Sequence, residues 1–344
     1  MRRFLGGLAV FLGVALLVLG LTAGSLYDGL ARVKLDQHST VISEGTGMEA
    51  LRAYRGTDGA SHYDRLTDAT IRNTREIRGI PGQVPDDKRA KNAFWQIGVK
   101  SEAVGVGDLT MSIDGVSLDR VTGMSTNCCG DYRSAGTLDD PGKTESQQHE
   151  GLFFKFPFDA QKTSYPFWDG DLGKAVDATY QRTQTVQGVS TYVYEQRIPQ
   201  AEIGQRTLPA DLFGTTGADV SARVLYANVR TFWVEPNTGV IIKGQEQVDR
   251  SLESDAGSVT LAKGTIGYTE ASQKAIADEY GSAGSMLGFI KNTLPWLGLG
   301  LGALLTLAGL AILLTGRARR HQTERATTRE SRSVATDPDH VVRR

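Results

Sequence analysis

The sequence predicts a mainly antiparallel β domain, α+β in class, flanked by two transmembrane α-helices. Three observations predict it. An uncharged run of 24 residues, 4–27, stands near the N-terminus, and one of 23 residues, 294–316, stands near the C-terminus. At about 1.5 Å per residue, either run spans the roughly 30 Å hydrocarbon core of a bilayer as a helix. Between them the pattern is mostly of period two, and the apolar positions are rich in Val, Ile, Thr, Tyr and Phe, as half-buried strands require.

Residues 1–3 form a short cytoplasmic N-terminus, because Arg2 and Arg3 precede the first run just as Arg317, Arg319 and Arg320 follow the second. Positive flanks stay in the cytoplasm, so both termini are expected there and residues 28–293 outside the cell membrane, which makes a two-pass cell-envelope protein. A cleaved signal peptide is the rival reading of the first run, with its small residues around Ala23. Its 24 uncharged residues exceed the usual signal core of about 7–15, which favours a retained anchor.

Gly6, Gly13 and Gly20 recur seven apart, as do Gly302, Gly309 and Gly316. Small residues on one helix face let two backbones approach in lipid. Matched by depth in an antiparallel pair, Gly6 would meet Gly316, Gly13 would meet Gly309, and Gly20 would meet Gly302. The general abundance of glycine in membrane helices is the alternative explanation, and the Gly298-xxx-Gly302 spacing offers a competing face for self-association.

In the central region Asp114-Gly115 reads as a hairpin turn, as do Gln187-Gly188 and the Asn237-Thr-Gly239 stretch behind Pro236. Residues 258–269 form a last strand. A connector helix is expected over 270–291, with Gly281 and Gly284 as a break, and residues 131–150 read as a surface loop. The tail, 317–344, is basic and polar and is expected to be disordered. It carries eight Arg against four acidic residues, whereas residues 28–293 carry 28 basic and 35 acidic ones, a net of -7. That acidity removes the electrostatic attraction on which nucleic-acid binding rests.

The only cysteines, Cys128 and Cys129, are adjacent. In an oxidising compartment they close a vicinal disulfide, pair with another chain or stay free, and they cannot staple distant parts of the fold. No metal-ligand spacing, nucleophile elbow, phosphate loop or dinucleotide fingerprint occurs in the domain, so neither a metal, a cofactor nor an enzymatic activity is expected. His38, His62 and His149 read as surface or capping residues, although sequence leaves open whether His149 and Asp131 meet a Ser in space. Asp169-Gly-Asp171-Leu-Gly173 resembles the start of a calcium loop but lacks the further acidic ligands, and reads as a turn.

The densest aromatic stretch, residues 151–169, holds Phe153, Phe154, Phe156, Phe158, Tyr165, Phe167 and Trp168. Such rings usually pack a core corner; the alternative is the wall of an apolar ligand pocket or a membrane-facing rim.

Together the terminal runs, Asp119-Arg-Val-Thr-Gly123, the GLFFKFPF and YPFWD segments and Phe232-Trp-Val-Glu-Pro-Asn-Thr-Gly239 resemble the actinobacterial PorA-type membrane-protein family. That family is carried as a domain of unknown function, with some members named porins. The resemblance spans nearly the whole chain and implies no catalytic residues.

From the residues, the expected function is non-enzymatic, with the β-rich domain binding or transferring an envelope lipid or other apolar ligand beside its membrane lipid. Two anchors around one outer domain are similar in layout to lipid-receiving scavenger-type receptors, which implies a continuous apolar cavity. The family name implies instead a porin or channel component. Two uncharged helices enclose no pore, so that role requires self-association.

Overall fold

The computed structural model describes residues 2–134 and 143–330, with side chains for 3–134 and 143–315. It divides into two units, Met1–Leu30 with Leu287–Arg344, and Ala31–Met286.

The first unit contains helix α1, Arg2–Leu30, and helix α3, Leu294–Glu330, preceded by a π-helical turn, Phe289–Thr293. The two helices pack along the glycine face. A Cβ on Gly302 would lie 2.8 Å from the carbonyl oxygen of Gly13, and one on Gly309 2.8 Å from that of Gly6. A Cβ on Gly20 would meet the Leu299 nitrogen at 2.9 Å, and one on Gly298 the Gly20 Cα at 2.7 Å. Any side chain there would push the backbones apart. The register is displaced from the depth-matched pairing by about two turns at Gly6 and Gly13 and about one turn at Gly20: Gly6 faces Gly309, Gly13 faces Gly302, and Gly20 faces Gly298. Gly298 and Gly302, expected on a competing face, pack against α1, because glycines four apart allow the closest approach where the helices meet. The packing of Gly316 lies outside the described side chains. The helix itself runs on through the basic segment to Glu330, where a disordered tail was expected from residue 317; residues 331–344 lie outside the described residues.

The second unit is one twelve-stranded antiparallel sheet. Its strands are β1 (His38–Arg55), β2 (Ser61–Gly79), β3 (Asn92–Ala103), β4 (Gly107–Asp119), β5 (Tyr132–Ser134), β6 (Thr144–Ser146), β7 (Ser164–Asp169), β8 (Lys174–Val186), β9 (Val189–Leu208), β10 (Val220–Glu235), β11 (Val240–Ser254) and β12 (Gly257–Tyr268). Their order runs from β6 down to β1, then from β12 down to β7. The first and last strands are therefore neighbours at the centre, with Ser43 paired to Tyr268. Isolated bridges Leu118–Ser125, Met124–Leu152 and Leu152–Phe167 link the two outer margins through loop segments, which covers edges that would otherwise invite pairing with other chains.

Turn chemistry explains most connections. Gln187 and Gly188 both have positive φ, 49° and 79°, the pair of left-handed residues a two-residue hairpin needs. Asp114-Gly115 is not a turn: it lies inside β4, paired with Ile97 and Gln96, and the chain reverses at Val104–Val106 instead. Gly115 is needed for packing, since a Cβ there would sit 2.8 Å from Phe94 Cζ and against the Tyr132 ring. The expected loop 131–150 contains β5 and β6; residues 135–142 lie outside the described residues.

Alternation sorts the apolar side chains onto two faces. Tyr194, Phe232, Val234 and Ile241 pack beneath the segment carrying Phe156 and Phe167. Their neighbours Val193, Trp233 and Ile242 pack against Ala277 of helix α2, Glu270–Gly288. Thr269 caps that helix through its hydroxyl to the Ser272 nitrogen, 3.2 Å. Gly281 and Gly284 do not interrupt it. Gly281 meets Val189 and Gly284 meets the Glu235 carboxylate, so both glycines let the helix lie close to the sheet. Outward positions of the sheet are charged and paired, as in Arg72–Glu44 at 2.7 Å, Lys100–Asp108 at 2.8 Å and Lys263–Asp249 at 3.1 Å. Such exposed pairs contribute little stability but keep the outer face wet.

Candidate functional site

The aromatic stretch builds core. Phe156 is fully buried and stacks on Tyr194 with ring centres 4.4 Å apart, and Phe167 stacks on Phe232 at 4.6 Å. Tyr165 meets Phe156 edge-on at 5.6 Å, Phe154 meets Trp95 at 5.3 Å, and Phe153 meets Phe154 at 4.8 Å. Phe158 lies under the Lys155 ammonium, 3.4 Å from its ring centre. All seven rings are buried or half-buried, and none lines the cavity described below.

His149 is buried, not a surface residue. Its ring stands edge-on to Phe153 and to Trp168, with Nδ1 3.5 Å from Asp131 Oδ2 and Nε2 3.8 Å from Asp114 Oδ1. These are ion-pair separations rather than hydrogen bonds. Ser117 Oγ donates to Asp131 Oδ1 at 2.5 Å and accepts from the Cys128 nitrogen at 2.9 Å. His149, Asp131 and a serine thus meet, but the carboxylate lies between the hydroxyl and the imidazole. Activation of a serine needs the imidazole on the hydroxyl. Cys128 and Cys129 are joined in a vicinal disulfide that packs near Phe94 and Val84, and Gln83 donates to the Cys129 carbonyl at 2.9 Å. Among the described residues no three His, Cys, Asp or Glu side chains converge as a metal site.

Burial disfavours the charged form of His149, but Asp114 and Asp131 outweigh it and hold the imidazole above its ordinary value of 6.5. A raised value stabilises the fold below pH 6.5, and that contribution is lost as pH rises through the folded-state value. Unfolding midpoints in urea should therefore fall as pH rises from about 5 to about 8. His149→Gln should remove that part of the slope; an unchanged slope would assign it to other groups.

Sequence patterning missed a polar layer inside the sheet. Asp169, fully buried, receives the Arg230 guanidinium at 3.0 Å, the Tyr226 hydroxyl at 3.0 Å, and the backbone nitrogens of Asp171 and Leu172 at 3.0 and 2.8 Å. Arg230 also reaches the Trp168 carbonyl at 3.2 Å and Glu246 at 3.6 Å, and Arg75 approaches Glu246 from β2 at 3.9 Å. Asn228 donates to Tyr226 Oη at 3.0 Å and to Glu246 Oε2 at 3.1 Å. The Asp169 turn expected from its sequence is present, and its first carboxylate serves this network rather than a calcium loop. A signal existed: counting back by twos from inward-facing Phe232 places Arg230, Asn228 and Tyr226 on the same face.

Next to this layer lies a cavity of about 430 Å³, lined by both halves of the sheet from Met48 on β1 to Ile266 on β12. Its wall mixes apolar side chains such as Ile71 and Val248 with Asn73, Asn228, Glu246 and Arg250. It is not a continuous apolar tunnel.

A family model described as porin PorA matches residues 5–311. A porin PorA of Corynebacterium amycolatum is 25% identical over 304 residues, covering 72% of this chain and 78% of that protein. A porin PorA of Corynebacterium resistens is 24% identical over 362 residues, covering 82% and 86% respectively. Because the match runs from the first apolar helix, through the whole sheet, into the second apolar helix, the chain belongs to the porin PorA family.

Proposed function

We propose that this is a two-pass cell-envelope membrane protein whose β domain stands outside the cytoplasmic membrane as a non-enzymatic binding module, with both termini in the cytoplasm. The distribution of exposed apolar side chains carries this reading. Large apolar residues are exposed along the helices, among them Phe4, Phe11, Leu21, Trp296, Leu304 and Leu307, whereas among the described residues of the β domain only Val104, Val106, Met111 and Val121 up to Tyr268 are so exposed. Lipid is thus the natural partner of the helix pair and water that of the sheet. The positive flanks supply the orientation.

Topology is tested by labelling with a membrane-impermeant maleimide. A Ser258→Cys variant should react in intact cells and a Gln322→Cys variant only after permeabilisation; the reverse pattern would sink the proposal. The native disulfide leaves Cys128 and Cys129 unreactive in this assay.

A second reading follows from the names of the relatives, a porin or channel component. A barrel crossing the membrane on these strands would put the charged pairs Arg72–Glu44 and Lys263–Asp249 against lipid, at about 2–4 kcal/mol per basic residue at the midplane. A pore therefore calls for several copies with helices lining it. Conductance steps from purified, folded protein in a planar bilayer would favour that reading, and silence would remove it. The apolar ligand expected from the aromatic stretch finds those rings in the core, and the mixed cavity wall favours a ligand with polar groups.

A further inference from the structure

The cavity of about 430 Å³ falls within the roughly 300–1,000 Å³ usual for small-molecule sites. It lies where the sheet stays unclosed. β5 pairs with β4 only at Asp114 and Gly115, and β8 pairs with β9 only as far as Gln196. Beyond those pairs, Leu109 and Thr110 of β4 and residues 203–206 of β9 line the cavity.

Its half-buried charges are already matched within the protein, and the two other charged lining residues, Glu49 and Arg206, are exposed. Arg250 pairs with Asp171, and Glu246 lies between Arg230 and Arg75. The groups left over are hydrogen-bonding ones: Asn228 Oδ1, Asn73 Oδ1 and Arg250 Nε are buried atoms with no partner. The Asn228 amide cannot be turned round, because a carboxylate only accepts and the amide nitrogen must face Glu246. Its oxygen, on a residue only 2% exposed, is thereby left for a donor. Met48, Ile71, Val248 and Ile266 supply an apolar wall beside these groups.

We propose that this cavity binds an uncharged, hydroxyl-rich ligand of about hexoside size, its hydroxyls on Asn73, Asn228 and Arg250 and its C–H face on Met48, Ile71 and Ile266. A hydroxyl both donates to an amide oxygen and accepts from a guanidinium nitrogen, which no alkyl ligand does. An alkyl chain would leave the Asn228 oxygen buried and unpaired, and a charged ligand would compete with the existing ion pairs. The inference rests on reading the β domain as a binding module outside the membrane. The ligand source is either a free sugar or the sugar headgroup of a glycolipid.

The test uses the full chain in lipid nanodiscs. Ligand-observed NMR is run with methyl glucoside, methyl mannoside and methyl galactoside, and native mass spectrometry with a monoglycosyl diacylglycerol. Saturable binding of at least one probe is expected, weakened about tenfold in Asn73→Ala. Thr110→Trp, placed at an exposed lining position to block the cavity without touching the core, should abolish it. Binding of a methyl hexoside identifies a free sugar, and binding of the glycolipid alone identifies a headgroup. No saturable binding of any of the four, or undiminished affinity in folded Thr110→Trp, overturns the proposal. The maleimide pattern is read independently, so failure of the ligand inference and failure of the topology remain distinguishable.

Discussion

Arg230→Ala is expected to lower the folding free energy by about 3–5 kcal/mol, because it leaves the Asp169 carboxylate fully buried with no opposite charge beside it. The guanidinium now spans Asp169 at 3.0 Å and Glu246 at 3.6 Å, and it also satisfies the Trp168 carbonyl. Burial alone would pull Arg230 down, but Glu246 and Asp169 more than offset it and raise the group above its usual range. The triple variant Asp169→Asn, Arg230→Met, Glu246→Gln removes the buried charges together and should cost less than Arg230→Ala alone, since only the part-exposed Arg75 then loses an ionic partner. Urea unfolding at pH 7, followed by tryptophan fluorescence, measures both. A loss below about 1 kcal/mol for Arg230→Ala would mean that water reaches Asp169.

The same network sets an acid limit. Burial pushes the Glu246 carboxyl up, but Arg230 and then Arg75 outweigh it and hold it below the ordinary 4.5. A lowered value stabilises the fold above pH 4.5 and loses that contribution as pH falls through the folded-state value. Arg230→Ala should flatten this part of the acid-unfolding curve.

Lys155→Met is expected to act in the opposite direction and stabilise the protein. The Lys155 side chain is buried, its Nζ has no hydrogen-bond partner, and its closest compensation is the Phe158 ring at 3.4 Å. Burial lowers the ammonium from 10.5 to about 7, with Glu235 only partly opposing. Below about pH 7 folded and unfolded chains both carry the proton, so the folded state bears the whole penalty of the buried charge. Between pH 7 and 10.5 the folded chain holds the neutral amine and the penalty shrinks to nothing. At about 1.36 kcal/mol per pH unit, and after allowing for the ring contact, the gain at pH 6 is about 2–4 kcal/mol and fades towards pH 10. Methionine keeps the shape of the aliphatic stem. Identical pH profiles for wild type and variant would show that the amine reaches solvent.

Some of the protein was legible along the chain. The two apolar helices follow from uninterrupted hydrophobic length, which needs no knowledge of what packs where. The Gln187-Gly188 hairpin follows from residues that tolerate positive φ, and the Asn237-Thr-Gly239 turn from Gly239 at a φ of 72°. The glycine faces of the helices were visible as a seven-residue spacing. Their register was not, since depth matching pairs Gly6 with Gly316, whereas close backbone approach pairs Gly6 with Gly309.

What only the tertiary structure decided depends on residues far apart in sequence. Asp114-Gly115 has the composition of a turn, yet it runs straight through β4 because the rings of Phe94 and Tyr132 need the space a Cβ would occupy. His149 reads as a surface histidine until residues 114 and 131, from other segments, flank it. Arg75, Asp169, Arg230 and Glu246 come from β2, β7, β10 and β11, and their meeting is set by strand order and by which face of each strand turns inward. Local sequence determines helix, strand and turn through backbone sterics and apolar length. The interior of a curled sheet is decided by the pairing of distant strands, where burial turns individually ordinary polar residues into a matched set.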